Sequence, residues 1–235
     1  MWAIVPLKSL DDAKKRLATL LSAEQRRSLM LAMARDVLAT LCQVNALRGI
    51  LIVSRTPEAD ALAQTFGTER FAESPTANLP IALTQAADYL TTNLGAKGVM
   101  IVPADIPLLN AAEITEILRG HDRVTVIPDA ANVGTNCLIC TPPDAIPFIF
   151  DGRSFKPHVD AAFARGITPR VIPGRGFALD IDTEKDLRDL LARGPTTQTG
   201  TYLEKSGIAR QLQDPDNVRP GNGPEDDILE NNRME

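Results

Sequence analysis

Three groups of charged side chains stand directly after apolar, strand-like runs. Lys8, Lys14, Lys15 and Arg16 follow Val5, Asp105 follows Val102, and Asp180 with Asp182 follow the run ending at Ile172. In open α/β sheets, ligands lie outside the carboxyl ends of strands. Bases and acids gathered there suit a polyphosphate and its magnesium. Mg2+ takes one or two carboxylates plus phosphate oxygens, and Lys and Arg offset the charge of a leaving pyrophosphate. Each group also has a plainer reading. Lys14, Lys15 and Arg16 fit a solvated helix start, and Asp105 and Asp182 fit helix N-caps. Their common position at three strand ends is what points to chemistry. Ser154 is a further candidate, because it opens the helical pattern SFKPHVDAAFARG. A helix N-terminus with a serine hydroxyl is an anion site. Arg153 and Lys156 flank it, and His158 follows one turn later on the same face.

The elements that must position these residues come next. Residues 2–6 form a short apolar strand ending in proline. A helix starts near Ser22, with Leu29, Met33, Val37 and Leu41 on one face, and Gly49 is read as its stop. Residues 50–54 and 98–103 are continuous apolar strands, as expected in a sheet buried on both faces. Further strands are read at 71–72, 124–128, 136–140 and 170–172. Helices are read at 59–66, 80–94, 111–118, 158–165 and 182–191. Strands alternate with helices to about residue 130, which implies a parallel sheet with helices on both sides. The later part has more strands, as a mixed-sheet edge would. The expected fold is therefore α/β, a single domain with a mostly parallel mixed sheet. It covers 1–193, followed by a linker and terminal helix at 194–213, with 194–201 as linker. Residues 214–235 read as a disordered acidic tail, since Pro, Gly, Asn and acids leave almost nothing to bury.

Composition narrows the function classes. The chain has 235 residues, 44% hydrophobic and 23% charged, which supports a packed core. The formal charge of -5 speaks against a general nucleic-acid binder. Residues 214–235 hold seven acids and two bases, so the whole excess sits in that tail. Within the neutral remainder, residues 1–35 carry seven bases against three acids, and 151–175 five against two. No apolar run reaches the roughly 20 residues that span a bilayer. The start is apolar and then basic, the reverse of a signal peptide, so a cytoplasmic location is expected. Cys137 and Cys140 have CxxC spacing within a strand-like run, so their side chains should point to opposite faces and share neither a disulfide nor a metal.

Five ordered motifs carry a resemblance: IVPLKSLDDAKKRL at the start, VPADIPLL at 102–109, GTNCLI at 134–139, SFKPHVDAA at 154–162 and LDIDTEKDL at 179–187. Together they resemble the guanylyltransferases of coenzyme F-420 biosynthesis, which act on phospholactate, phosphoenolpyruvate or 3-phosphoglycerate. These are related to molybdenum-cofactor guanylyltransferase and share the nucleotide-diphospho-sugar transferase type of fold. The resemblance covers about residues 2–212. It implies a nucleotidyltransferase joining GTP to a three-carbon phospho-acid with release of pyrophosphate and with Mg2+ as cofactor. Lys8, Lys14 and Arg16 match its nucleotide-phosphate positions, and with Asp105 they form the implied catalytic set. Asp105, Asp180 and Asp182 match its metal site. Thr135 or Asn136, Asp151, Ser154 and His158 fall at its acceptor pocket. The partners implied are small molecules, neither nucleic acid nor membrane. The product would pass to the next transferase of that pathway, and a homodimer is an open option.

The sequence departs from that family twice. FDGRS stands where the family has a glycine-rich FGxGS-like run, and Pro80 stands where it has an asparagine. The first departure bears on acceptor identity, the second on base selectivity. Two other enzyme readings are weaker. Molybdenum-cofactor enzymes start with an LxGGxSxRxG loop, absent here. A glycosyltransferase DxD motif would fall earlier than Asp180-Ile181-Asp182. The alternative from another class is a non-catalytic nucleotide-binding regulator.

Overall fold

Alternation within the first strand explains the layering. β1 (Trp2–Pro6) turns Ala3 and Val5 to one side and Trp2 and Ile4 to the other, and all four are buried. Such a strand needs cover on both faces. The computed structural model describes residues 1–7, 10, 14–194 and 196–213, so Lys8 and the acidic 214–235 segment lie outside the described residues. β2 (Gly49–Ser54), β3 (Glu69–Ala72), β4 (Val99–Ile101), β5 (Val124–Pro128), β6 (Thr135–Cys140) and β7 (Arg170–Val171) complete a seven-stranded sheet. Its order is β3-β2-β1-β4-β6-β5-β7.

Every pairing is parallel except those of β6, which runs antiparallel to both β4 and β5. The sequence reading put the mixed part at an edge. Instead the antiparallel strand is interior, and the edges are β3 and β7. The cause is local. β5 leaves one strand's width beside β4, and the short 129–134 turn folds β6 back into it, where both neighbours pair its backbone groups. As a result β6 enters the sheet at the carboxyl edge of the parallel strands. Its first residues, Thr135 and Asn136, thereby join the edge where β1 and β4 end.

One face of the sheet is covered by α1 (Ala23–Leu41), α2 (Glu58–Phe66), α4 (Ala111–Arg119), α6 (Glu184–Ala192), α7 (Gln198–Lys205) and α8 (Ile208–Gln213). α3 (Leu79–Leu94) and α5 (Phe155–Ala164) cover the other. α1 begins with a Ser22–Gln25 capping box, and its Leu29, Met33, Val37 and Leu41 are all buried, as their spacing predicts. It ends at Leu41, so Gly49 is the first residue of β2 and not a helix stop. Cys137 and Cys140 are buried on opposite faces of β6. Burial raises both thiols, Cys140 to about 12, which keeps them protonated.

The segment after residue 194 differs from its reading as a linker with one helix. α7 starts at Gln198 and α8 follows, broken at Gly207, whose φ of +78° is left-handed. The buried Asp36 of α1 receives Gln198 N at 2.7 Å, Thr199 N at 2.8 Å and Thr199 Oγ1 at 2.6 Å, which satisfies the N-terminus of α7. Leu203, Ile208 and Leu212 then join the core beneath α1. No helix among the described residues is long and apolar enough to cross a membrane.

Candidate active site

Three sequence-distant segments meet at the carboxyl edge of the sheet. Lys14 stands before a single 3-10 turn (Lys15–Leu17) with φ +52°. A non-glycine residue pays about 1–2 kcal/mol for that left-handed backbone. The conformation sends its side chain inward, 5% exposed, to Asp105 Oδ2 at 2.6 Å and Asp182 Oδ1 at 2.7 Å. The plainer reading of a solvated helix start therefore does not hold for Lys14. Burial pulls its pKa down, but the two carboxylates outweigh burial and raise it overall, so Lys14 is charged. Arg16 approaches Asp182 Oδ2 at 3.8 Å with its side chain 76% exposed. Its guanidinium faces solvent, open to an incoming phosphate.

The acids owe their places to backbone choices nearby. Asp105 caps no helix, because α4 is capped by Asn110, whose Oδ1 accepts from Ala112 N and Glu113 N. Asp182 caps none either, because Thr183 and Asp186 form the capping box of α6. Both carboxylates are thus released to the site. Ile181 N donates to Asp105 O at 3.1 Å, which lays the 180–182 segment against the end of β4. Asp180 Oδ1 accepts from Asn136 Nδ2 at 3.2 Å, and the same amide donates to Phe177 O at 2.7 Å. Burial raises the Asp180 pKa most; Asn136 lowers it, and the charges of Asp105 and Asp182 raise it further.

The proposed acceptor residues gather beside these, in altered roles. Asn136 orients Asp180 instead of standing open to a ligand. His158 is fully buried, with both ring nitrogens engaged. Ile149 N can only donate, so His158 Nε2 at 2.8 Å is the acceptor and the proton sits on Nδ1, donated to Thr135 Oγ1 at 2.9 Å. Burial lowers its pKa to about 4, with Asp151 opposing. Both ring nitrogens of His158 are thus engaged within the fold, and the ring ties β6 to the 149–154 loop. Ser154 stands before α5, 2% exposed, and its hydroxyl caps nothing. Asp151 is exposed and accepts from Arg153 N at 2.9 Å, a turn contact inside the FDGRS loop. Lys8 lies outside the described residues.

The donor set fits a magnesium ion shared with phosphates. All three acids offer hard carboxylate oxygens, and Asp180 feels two like charges, which is the electrostatics of a place that takes a cation. Among the described residues no three metal-binding side chains converge into a ready cage. An open site of one or two carboxylates completed by substrate phosphates is the arrangement magnesium favours. Sequence reasoning missed Glu113, whose carboxylate receives Arg175 N and Gly176 N. Its N-x-x-E position at the start of α4 reads as an ordinary cap.

Comparison with known proteins bears on the fold and the family. A crystal structure from Desulfovibrio desulfuricans G20, described as a nucleotide-diphospho-sugar transferase, superposes with a TM-score of 0.72 at 18% identity, covering 90% of this chain and 97% of that one. A nucleotidyl transferase from Methanothermobacter superposes with a TM-score of 0.59 at 15% identity, over 83% and 98%. These likenesses establish the fold. The family match and the curated relatives that follow place the chain, with this fold, in the nucleotidyltransferase class. Residues 1–219 match the family model described as guanylyl transferase CofC like, and the chain belongs to that family. A phosphoenolpyruvate guanylyltransferase from Roseiflexus castenholzii is 37% identical over 211 residues, 90% of this chain and 97% of the relative. Another, from Rubrobacter xylanophilus, is 36% identical over 83% and 95%. A 2-phospho-L-lactate guanylyltransferase from Methanobrevibacter smithii is 31% identical over 88% and 91%.

Proposed function

We propose that this protein joins GTP to a three-carbon phospho-acid and releases pyrophosphate, in coenzyme F-420 biosynthesis. Phosphoenolpyruvate and 3-phosphoglycerate are the preferred acceptors, ahead of 2-phospho-L-lactate, and the product passes to the next transferase of that pathway. The observation that carries the reading is the charged, buried Lys14 held between Asp105 and Asp182 at the carboxyl edge. In the proposed reaction an acceptor phosphate oxygen attacks the α-phosphorus of GTP in line; the new P–O bond forms as the bond to the β-phosphate oxygen breaks. A phosphate monoester has a second pKa of about 6, so near neutrality it is already a dianion. No general base is required, which suits a site whose nearest histidine is buried and committed. The main barrier is repulsion between two anions. Lys14, Arg16 and Lys8 would hold and neutralise the nucleotide phosphates, and Arg153 adds a cation on the acceptor side. Asp105, with Asp180 or Asp182, would hold Mg2+, which when bound supplies charge neutralisation and Lewis acidity at the phosphates.

The test is pyrophosphate release by purified protein with GTP, Mg2+ and each of the three acceptors in turn. Release with at least one acceptor is expected, and silence with all three favours the regulator. Asp105→Asn should lower kcat by roughly 10²-fold or more while the circular dichroism spectrum is retained. Near-normal turnover in that variant would remove Asp105 from the site.

A further inference from the structure

Two segments carry the acids of the site: 102–110, with Asp105, and 172–182, with Asp180 and Asp182. Besides the Lys14 ammonium between Asp105 and Asp182, two contacts tie the second segment to the first and to the helix α4 that follows it. One is Ile181 N to Asp105 O, beside the acids. The other lies at the far end, where Glu113 on the first turn of α4 receives Arg175 N at 2.6 Å and Gly176 N at 2.9 Å, one amide on each carboxylate oxygen. A glutamate three residues after an N-cap ordinarily reaches back to the cap's own N–H. Here Asn110 satisfies the α4 amides alone, and the Glu113 carboxylate is turned to a loop 62 and 63 residues onward. The approach is close. A β-carbon on Gly176 would stand 2.6 Å from Leu108 O and 3.3 Å from Leu109 Cα. Only glycine lets the loop lie there.

From that anchor the chain has little freedom before the acids. Phe177 is fully buried, and its carbonyl accepts the Asn136 amide that also reaches Asp180. Leu179 and Ile181 are buried in the same core. We propose that Glu113 is a positioning residue for nucleotidyl transfer. Its carboxylate sets the register of 174–182 on 105–109, and through it the separation of Asp180 and Asp182 from Asp105. Glu113 touches none of the proposed reacting groups; it acts through the backbone, and a displacement of about 1 Å at such a site costs on the order of 10²-fold in rate. The inference rests on the guanylyltransferase reading for its kinetic part only.

The experiment compares Glu113→Gln and Gly176→Ala, which disturb the contact from opposite sides, with Asn110→Ala. That last variant removes the acceptor of Ala112 N and Glu113 N, while the 175–176 amides keep the Glu113 carboxylate. Hydrogen exchange of the 174–182 amides should rise at least tenfold in the first two variants and stay at wild-type level in the third. With wild-type turnover as the reference, kcat should fall ten- to hundredfold in the first two while acceptor KM stays within about twofold. Asn110→Ala should lose stability and keep its kcat. Unchanged exchange at 178–182 in Glu113→Gln overturns the proposal, whether or not the wild type turns over GTP. So does a kcat loss no greater than that of Asn110→Ala. An inactive wild type with the expected exchange pattern would instead fault the reaction assigned above.

Discussion

Lys14 is the residue on which most of the site's electrostatics depend. A buried ammonium is tolerated because two carboxylates face it at hydrogen-bond distance. Lys14→Met should reduce kcat by roughly 10²-fold, by analogy with the loss of one preorganised transition-state donor. Lys14→Arg should rescue little, since a planar fork does not replace a point charge held between two acids. Steady-state kinetics beside a melting curve would check both. His158 makes a different prediction. Its pKa is about 4 in the folded chain, against 6.5 for an unperturbed imidazole. Unfolding therefore takes up a proton between those values. The neutral ring's contribution is complete above pH 6.5 and is lost as pH falls toward 4, by roughly 3 kcal/mol in all. Urea midpoints between pH 4.5 and 7 should show this loss in the wild type. His158→Gln should lack that component while sharing the loss from other groups. An identical pH slope in the two proteins would refute the buried neutral assignment.

At the scale of elements, the two C-terminal helices depend on one carboxylate. Asp36 takes three hydrogen bonds from the start of α7, and beyond them Leu203, Ile208 and Leu212 are buried. Charge-assisted bonds of this kind contribute about 1.5–3 kcal/mol each in favourable cases and do not add simply. Asp36→Ala should destabilise the protein by about 2–4 kcal/mol and open the 194–213 segment to protease. Limited proteolysis with mass spectrometry would locate the cut; cleavage no faster than in wild type would show that apolar packing alone holds α7. The linker reading of 194–201 failed because GPTTQTGT has no apolar periodicity. Thr197 caps the helix through Gly200 N, but Gln198 N and Thr199 N find their acceptor in Asp36, 163 residues before Thr199. By contrast α1 was readable, since its capping residue and buried face lie within its own 19 residues.

Across the whole molecule, charge and site separate cleanly. The net -5 belongs to 214–235, while the two base-rich stretches supply Lys14 and Arg16 on one side and the Arg153–Lys156 region on the other. Removing 214–235 should raise the isoelectric point and leave kcat within about twofold; a tenfold loss would give the tail a part in turnover. The sequence by itself determined which residue types stand at the strand ends, which strands are buried on both faces and which helices carry their own caps. All of these are local, written in spacings of two, three or four residues. Partnership was decided by the tertiary structure alone. Lys14 meets acids 91 and 168 residues away, Asn136 turns to Asp180 instead of outward, and His158 spends both nitrogens inside the fold. β6 slots between β4 and β5, and that one antiparallel insertion brings Thr135 and Asn136 to the carboxyl edge of the parallel strands. Such contacts depend on how distant segments share a limited space and satisfy one another's polar groups. No local pattern encodes which of several equally suitable partners will arrive.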